Sequence, residues 1–404
     1  MPLVEGMTAE GCAAARAPPA RRGLLLAVLV LGSAVFQIIT ELCQKKMYNA
    51  FGQRYVFFTG QLELLSYDLC VTAVVVGRAV LSASFRASLR ESARRFPPSR
   101  LVIPALLDGL ASFLQSVGGP STPGTWTVLL GQSAVFFTMA FSALLLAARF
   151  TRWQVIGATL TILGACTAVL PKVVANAPAV RHAGYVLIFL SADIPHSLSL
   201  VYKDFAFKRG DLDVFYLTAC VSWVQFPLSW IFLPLLSLKA FGGFDLTSLP
   251  EGISDGAACF LGDTSIPVYD AEGSITGYCS SFTTAITCAT CLAGFIAAIF
   301  HLNIMKFGSA TLYVLSVALS VPITNFCFEV PFVTQMLNLG VEQFSWWNTA
   351  GVVIVVIGFL LYMLIESQSH EIDASKPIAE DDVASGKTSE WASTASTSSV
   401  CDDM

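Results

Sequence analysis

Long apolar stretches constrain the fold of this chain more than any other feature of its sequence. Ten blocks of about 20 residues carry few ionisable groups, and only 13% of the 404 residues are charged, against roughly 25% in an average soluble domain. A bilayer core about 30 Å thick requires roughly 20 apolar residues per helix, at a rise of about 1.5 Å per residue. The sequence therefore predicts an all-α polytopic membrane protein.

The predicted spans divide the chain into membrane and terminal segments. They cover residues 23–43, 55–80, 101–118, 125–147, 153–171, 183–202, 213–237, 283–304, 308–330 and 346–365. Residues 1–22 are expected to remain as an N-terminal cytoplasmic segment, because the first apolar block lacks the small-residue cleavage site of a signal peptide. The sequence after residue 366 is rich in Ser, Thr and acidic residues, which predicts a disordered cytoplasmic tail over 367–404.

The distribution of Lys and Arg gives these spans a direction. Cytoplasmic loops of membrane proteins carry an excess of basic residues. With the N-terminus inside, 17 of the 23 Lys and Arg lie in inner segments and 6 lie in outer segments. One missing or extra span would move every later loop to the opposite side and reduce the excess of Lys and Arg in the inner segments. We therefore expect ten transmembrane helices with both termini in the cytoplasm.

The chain also contains an internal repeat. The motif Phe-Thr-Arg-Trp at 150–153, followed by Gly157 and Gly164, recurs as Phe-Ser-Trp-Trp at 344–347, followed by Gly351 and Gly358. Each copy opens the last span of a five-span half, so the predicted repeats are 23–171 and 183–366. Because five is odd, the two halves enter the membrane in opposite orientations. Such inverted repeats are typical of transporters, with the substrate site near the midplane; chance similarity between apolar helices is the alternative.

Ionisable groups inside the predicted spans mark candidate functional positions, because each costs about 2.5–3.5 kcal/mol on insertion scales. They are Glu41, Glu63, Asp68, Asp108, Asp193, His196 and Glu329. Asp68, Asp108 and Asp193 lie well inside their spans, which favours a function. Glu41 and Glu329 lie near outer ends and are alternatively interfacial, and Glu63 is alternatively paired with a neighbour.

The cations bear on the expected substrate. Lys203 and Lys306 are the positive candidates, and both are placed at cytoplasmic helix ends. A carrier of phosphorylated compounds needs cations in its dry site to bind phosphate. The surplus of acids instead favours a cationic or zwitterionic substrate, or a proton held on a carboxyl group.

Two proline residues predict bends in the spans. Asp193 and His196 are three residues apart and share a helix face, and Pro195 between them removes a backbone donor. This combination indicates a gate or a proton relay; a bent packing helix with a satisfied His is the alternative. Pro322 predicts a comparable break in the ninth span. In the fourth span, Gln132 offers a neutral polar group one to two turns beyond the predicted helix start at 121–124.

The long outer loop at 240–282 contains Cys259 and Cys279, the two of the eleven cysteines that lie clearly on the non-cytoplasmic side. Disulfides persist in such compartments. A Cys259–Cys279 disulfide is therefore plausible, and two free thiols are the alternative.

Several of these motifs resemble the chloroquine-resistance-transporter-like family of the drug/metabolite transporter superfamily. The resemblance covers about residues 23–366. Its motifs are Ser-Ala-Asp-Ile-Pro at 191–195, Ser199, Lys-Asp-Phe-Ala-Phe-Lys at 203–208, Thr-Pro-Gly at 122–124 with Gln132, Arg149 and Phe150 before Gly157, and 256–262 in the long loop. The resemblance implies ten helices in a five-plus-five inverted repeat and a loop half-helix that carries a disulfide cysteine. Cys288 or Cys291 is an open candidate for a second disulfide.

The same resemblance implies a proton-coupled carrier with a central cavity. Relatives of this kind export amino acids, peptides and cationic drugs from acidic vacuoles, and plant relatives move glutathione-type thiols across plastid envelopes. The implied cavity residues are Glu41, Asp108, Gln132, Ser199 and Asn303. The expected compartment is a vacuole or lysosome-like organelle, with the plastid envelope and plasma membrane less favoured.

The expected partners are a small-molecule substrate, protons and the lipid bilayer, for a chain that acts as a monomer. No basic patch with interleaved aromatics suggests nucleic acid, and no metal or cofactor is expected. A nucleotide-sugar or sugar-phosphate antiporter is the alternative transporter. A membrane enzyme or receptor is a remote alternative, because none of the four His residues stands at a metal-type or acyltransferase-type spacing.

Overall fold

The computed structural model of the chain describes residues 19–118, 130–176, 183–210, 212–237, 246–269, 274–336 and 345–375. The helices in these ranges are α1 (Pro19–Phe51), α2 (Val56–Leu81), α3 (Ala83–Arg95), α4 (Pro98–Gly118), α5 (Ser133–Leu145), α6 (Arg152–Asn176), α7 (Ala183–Ser191), α8 (Asp193–Gly210), α9 (Val214–Leu236), α10 (Leu249–Phe260), α11 (Thr283–Phe307), α12 (Ala310–Glu329), α13 (Pro331–Met336) and α14 (Trp346–Ser375). One antiparallel hairpin pairs β1 (Pro267–Tyr269) with β2 (Ile275–Tyr278).

Eight helical segments in the described ranges are long and apolar enough to cross a membrane. They are α1, α2, α4, α7 with α8, α9, α11, α12 and α14. Helix α6 coincides with the predicted span 153–171, and α5 is a shorter apolar helix whose predicted span begins outside the described residues. Large apolar side chains such as Leu31, Leu163 and Leu364 are more than half exposed, as lipid-facing residues are. The all-α polytopic membrane class is therefore confirmed.

Three features of the helices bear on the sequence predictions. The helix expected to bend at Pro195 is interrupted at Ala192, between α7 and α8, because proline has no N–H to donate to the carbonyl four residues earlier. Helix α12 continues through Pro322 without interruption, and a kink at that residue stays a prediction. Helix α14 extends to Ser375, so the tail predicted to be disordered from residue 367 is helical at its start.

Helices α6 and α14 pack through the four glycines of the sequence repeat. A Cβ atom placed on Gly157 would lie 2.8 Å from the carbonyl oxygen of Gly358, and one placed on Gly164 would lie 2.9 Å from that of Gly351. The earlier glycine of each helix thus meets the later glycine of the other, so the helices run antiparallel. Such close backbone approach is possible only with small residues at the contact.

The segment after α9 folds against the ends of α1 and α2. Helix α10 is the half-helix expected from the family resemblance, and the disulfide between Cys259 and Cys279 joins it to the residue that directly follows β2. Cys288 and Cys291 are free thiols. The Tyr55 hydroxyl, between α1 and α2, donates to the Pro267 carbonyl at 3.1 Å. Burial and, secondarily, the Asp255 carboxylate raise the pKa of Tyr55 to about 12, so this donor keeps its proton at neutral pH.

Replacing Gly52 with Ala is expected to weaken this loop packing. Gly52 has a φ of +74°, and its added Cβ atom would lie 2.4 Å from the Tyr269 carbonyl oxygen. The left-handed backbone alone costs about 1–2 kcal/mol for a residue with a side chain. We expect a lower thermal unfolding midpoint for the purified protein, whereas Gly60→Ala, with open space around it, should not lower it. Equal midpoints for the two variants would contradict the packing described.

Candidate functional site

A cavity of about 330 Å³ lies among α2, α4, α8, α9, α11 and α12. This volume is within the usual range for small-molecule sites, about 300–1,000 Å³. Its polar lining residues are Tyr67, Asp108, Ser112, Gln115, His196, Lys203, Thr218, Ser222, Gln225, His301 and Tyr313, and the remainder are apolar. The cavity is therefore an apolar-walled space with polar groups from six helices.

Three helices present their polar groups as stripes along the cavity. Helix α4 contributes Asp108, Ser112 and Gln115, at the i, i+4 and i+7 spacing that places residues on one face of a helix. Helix α9 repeats this spacing with Thr218, Ser222 and Gln225. In α8 the same spacing joins His196, Leu200 and Lys203. The sequence carried this signal, but among these residues the sequence predicted only Asp108 and His196 as pathway residues.

An ion pair between Asp108 and Lys203 is the main electrostatic feature of the cavity. The Lys203 Nζ atom lies 2.6 Å from the Asp108 Oδ2 atom, and each side chain is only 11% exposed. The other carboxylate oxygen, Oδ1, is buried without a hydrogen-bond partner, and an ammonium group has three N–H donors in all. The pair thus offers a substrate both an acceptor oxygen and cationic donors.

The placement of Lys203 corrects the sequence interpretation. Lys203 was expected at a cytoplasmic helix end, but α8 continues to Gly210 and directs the Lys203 ammonium to the Asp108 carboxylate in the cavity. Lys306 does lie at the end of α11, where its ammonium donates to the Leu212 carbonyl at 2.9 Å. The cavity is therefore charge-balanced by this pair, and it does not hold a surplus of acid.

His301 provides a second polar feature, which the sequence analysis did not identify. Its ring packs edge-on against Tyr313 with centroids 4.9 Å apart. The side chain is 8% exposed, and its Nε2 atom has no hydrogen-bond partner. An unpartnered buried nitrogen in a cavity wall is suited to bind a polar group of a ligand, because leaving it unpaired costs free energy.

Of the nine predicted pathway residues, only Asp108 and His196 line this cavity. Ser199 instead donates to the Pro104 carbonyl at 3.1 Å, and Asn303 donates to the Ile299 carbonyl at 2.7 Å. The Ser199 bond joins α8 to α4, as polar side chains between membrane helices often do, whereas the Asn303 bond lies within α11, four residues back along the same helix. Gln132 is buried directly before α5.

The remaining predicted acids lie in separate places. Asp193 accepts a hydrogen bond of 2.6 Å from Ser133, so it faces α5 while His196 faces the cavity. Glu329 accepts from Asn348 at 3.1 Å, and Glu41 accepts from Gln37 at 3.0 Å. Asp68 is fully buried, with its carboxylate beside the Ser222 hydroxyl of the cavity wall. Asp193 and His196, which were predicted to form a proton relay or a gate, therefore contact different neighbours.

Comparison with known proteins gives consistent matches over most of the chain. A family profile described as CRT-like, chloroquine-resistance transporter-like, matches residues 24–362. Crt homolog 1 of Dictyostelium discoideum is 29% identical over 358 residues, which cover 83% of this chain and 72% of that protein. Protein CLT3, chloroplastic, of Arabidopsis thaliana is 26% identical and covers 77% of this chain and 66% of its own length.

Two more distant matches are partial in different ways. The chloroquine resistance transporter of Toxoplasma gondii is 25% identical over 74% of this chain, but the matched region is 35% of that longer protein. A solved crystal structure matches with a TM-score of 0.51 and 15% identity over 84% of this chain and 98% of its own. At that identity the likeness concerns the fold alone.

Proposed function

Because this chain belongs to the CRT-like family, we propose that it is a secondary active transporter for small zwitterionic or cationic metabolites such as amino acids, short peptides and thiols. The family and the membrane-spanning helices support a membrane transporter. The observation that favours this substrate class is the Asp108–Lys203 ion pair in the cavity wall. A zwitterion can bind both partners, with its ammonium at Asp108 and its carboxylate at Lys203.

The charge balance of the cavity favours zwitterions over phosphorylated compounds. A phosphate group carries up to two negative charges and is usually bound by several cationic donors. Lys203 is the one Lys or Arg in the described cavity wall, and Asp108 already neutralises it. A nucleotide-sugar or sugar-phosphate antiporter therefore remains the less supported alternative.

We propose a ten-helix architecture of two inverted five-helix repeats, the drug/metabolite transporter fold, working as a monomer. The antiparallel packing of α6 on α14 supports it, because the repeated glycines meet in a reciprocal pattern. An approximate two-fold axis in the membrane plane would exchange Gly157 with Gly351 and Gly164 with Gly358, and so map one contact onto the other. Rocking of one repeat against the other then provides alternating access.

The proposed transport direction is from an organelle lumen to the cytosol, driven by protons. The excess of Lys and Arg in the inner segments supports cytoplasmic termini, and the Cys259–Cys279 disulfide fits a loop in an oxidising compartment. A vacuolar or lysosome-like membrane is the proposed location. The plastid envelope is the alternative location, because the Arabidopsis relative is named as a chloroplastic protein.

Transport by the purified full-length protein in proteoliposomes tests this function. We expect a preloaded amino acid or dipeptide to drive counterflow of its labelled counterpart, and an imposed pH gradient to drive accumulation. A sugar phosphate should drive neither. Counterflow without pH-driven accumulation would reject proton coupling alone, whereas counterflow with sugar phosphate only would reject the proposed substrate class.

A further inference from the structure

Helix α3 lies at the boundary of the membrane and does not contribute to the cavity. The preceding span α2 ends at Leu81, whose side chain is 87% exposed, after Val80 at 72%. Side chains this apolar and this exposed on a spanning helix face lipid. Ser82 ends α2, and its hydroxyl caps the first turn of α3 by accepting from the Phe85 N–H at 3.2 Å. Helix α3 therefore begins next to the last lipid-facing residue, at the level of the headgroup region.

The inner face of α3 is fixed to the helix bundle. The Arg78 guanidinium lies 4.1 Å above the ring of Phe85, and the Ser92 hydroxyl accepts from the Asp213 N–H at 3.4 Å. Just after α3, the Phe96 carbonyl accepts from the Tyr216 hydroxyl at 3.0 Å. These contacts follow one another at spacings of seven and four residues, as expected for one helix face, so the orientation of α3 is determined by the fold.

The outer face of α3 is strongly basic. The helix contains four Arg and one acid, Glu91. The guanidinium of Arg86 is occupied by the terminal carbonyls of α2 at Ala79 and Val80, and Arg95 pairs with Glu91 at 2.7 Å.

Two arginines remain available on this face. Arg90 and Arg94 are four residues apart, so they lie one turn from each other on the same side of α3. Both are exposed, and neither has an acidic partner within 4.0 Å in the described ranges of the chain. The fold therefore holds two neighbouring guanidinium groups at the membrane boundary without using them internally.

We propose that Arg90 and Arg94 bind the headgroups of anionic phospholipids. Basic clusters next to a transmembrane helix are attracted to anionic lipids, which are enriched in the cytoplasmic leaflet, and α3 is on the proposed cytoplasmic side. Guanidinium groups bind phosphate through paired hydrogen bonds. A lipid surface suits the position of α3 better than a soluble anion does, because the helix begins where the lipid-facing span ends.

Lipid binding to the full-length protein in a neutral detergent tests this proposal. Native mass spectrometry is used to count bound phosphatidylserine and phosphatidylcholine over a concentration series. The unaltered protein should bind phosphatidylserine more tightly than phosphatidylcholine. The double variant Arg90→Gln with Arg94→Gln should bind phosphatidylserine about 30-fold more weakly, from the usual attraction per basic residue, with phosphatidylcholine binding unchanged.

Two control variants separate site binding from net charge and from damage to the helix. Arg149→Gln with Arg209→Gln removes two exposed charges elsewhere and should leave phosphatidylserine binding intact. Glu91→Gln with Arg95→Gln alters α3 without changing its net charge and should also bind normally. Thermal unfolding midpoints in neutral detergent establish that each variant is folded.

Three results would overturn the proposal. In the first, the unaltered protein shows no preference for phosphatidylserine. In the second, the Arg149 and Arg209 control loses as much binding as the Arg90 and Arg94 variant. In the third, a variant that lacks residues 376–404 binds phosphatidylserine and the full-length protein does not. That result would mean that the acidic tail, and not lipid, binds to the basic face of α3. Transport measurements are not needed for any of these outcomes, so the proposal stands or falls separately from the proposed function.

Discussion

Replacing Asp108 with Asn is expected to abolish pH-driven uptake in proteoliposomes. The substitution keeps the shape of the side chain but removes the charge that pairs with Lys203 at 2.6 Å. Removing one partner of a buried ion pair lowers stability by about 3–5 kcal/mol. The ammonium of a proposed substrate also loses a charge-assisted hydrogen bond, which contributes about 1.5–3 kcal/mol to binding. The second loss alone corresponds to roughly a 10- to 150-fold weaker substrate affinity.

A matched set of variants separates this effect from unfolding. Asp108→Glu keeps the charge and should retain partial uptake, and Lys203→Met should impair uptake of zwitterions more than uptake of simple cations. Ser199→Ala, next to the cavity but bonded only to the Pro104 carbonyl, should retain uptake. Unchanged transport by a folded Asp108→Asn protein would remove this carboxylate from the mechanism.

Replacing Gly164 or Gly358 with Leu is expected to prevent α6 from packing on α14. A Cβ atom on Gly164 would lie 2.6 Å from the Val355 backbone nitrogen, and one on Gly358 would lie 2.6 Å from the Thr161 backbone nitrogen. Because backbone atoms cannot rotate away, the helices must separate. Overpacking usually lowers the free energy of unfolding by about 1–3 kcal/mol. Loss of the close contact between α6 and α14 should lower it further. Large falls in folded yield and in the unfolding midpoint are the expected results.

The proposed inverted repeat adds a symmetry to this prediction. Gly164 and Gly358 occupy equivalent positions in the two halves, so their Leu variants should be destabilised by similar amounts. Gly77→Leu on α2, which has nothing within 4 Å of its added Cβ atom, is the control and should be tolerated. A severe effect at only one of the two equivalent glycines would contradict the reciprocal contact.

Helix content and membrane class followed from the sequence because they depend on local composition. A run such as residues 283–304 must satisfy its backbone hydrogen bonds internally when lipid surrounds it, and only a helix does so within one segment. The start of α11 at Thr283 was predicted for this reason. A bend at Pro195 was predicted because proline removes a backbone donor, and the helix is interrupted close by, at Ala192. The continuous helix at Pro322 was not predicted, because the neighbours that let a proline remain within a membrane helix belong to other parts of the chain.

The cavity was predictable only in part. Asp108 and His196 were identified because a charge inside a span is costly and therefore conspicuous. His301, Ser112 and Gln225 were missed, since neutral polar residues are common in membrane helices and only their shared face distinguishes them. Lys203 was misplaced because its side chain reaches a carboxylate 95 positions away in sequence.

The sequence by itself determined the membrane class, the starts of most of the long described helices within about four residues and the pairing of Cys259 with Cys279 as a plausible disulfide, because hydropathy and cysteine position are local properties. It also contained the glycine repeat, but not the fact that the two copies contact each other. Only the tertiary structure decided which polar side chains meet. It pairs Asp108 with Lys203 and places Asp193 in a hydrogen bond with Ser133, because the choice of partner depends on how the helices pack around one another.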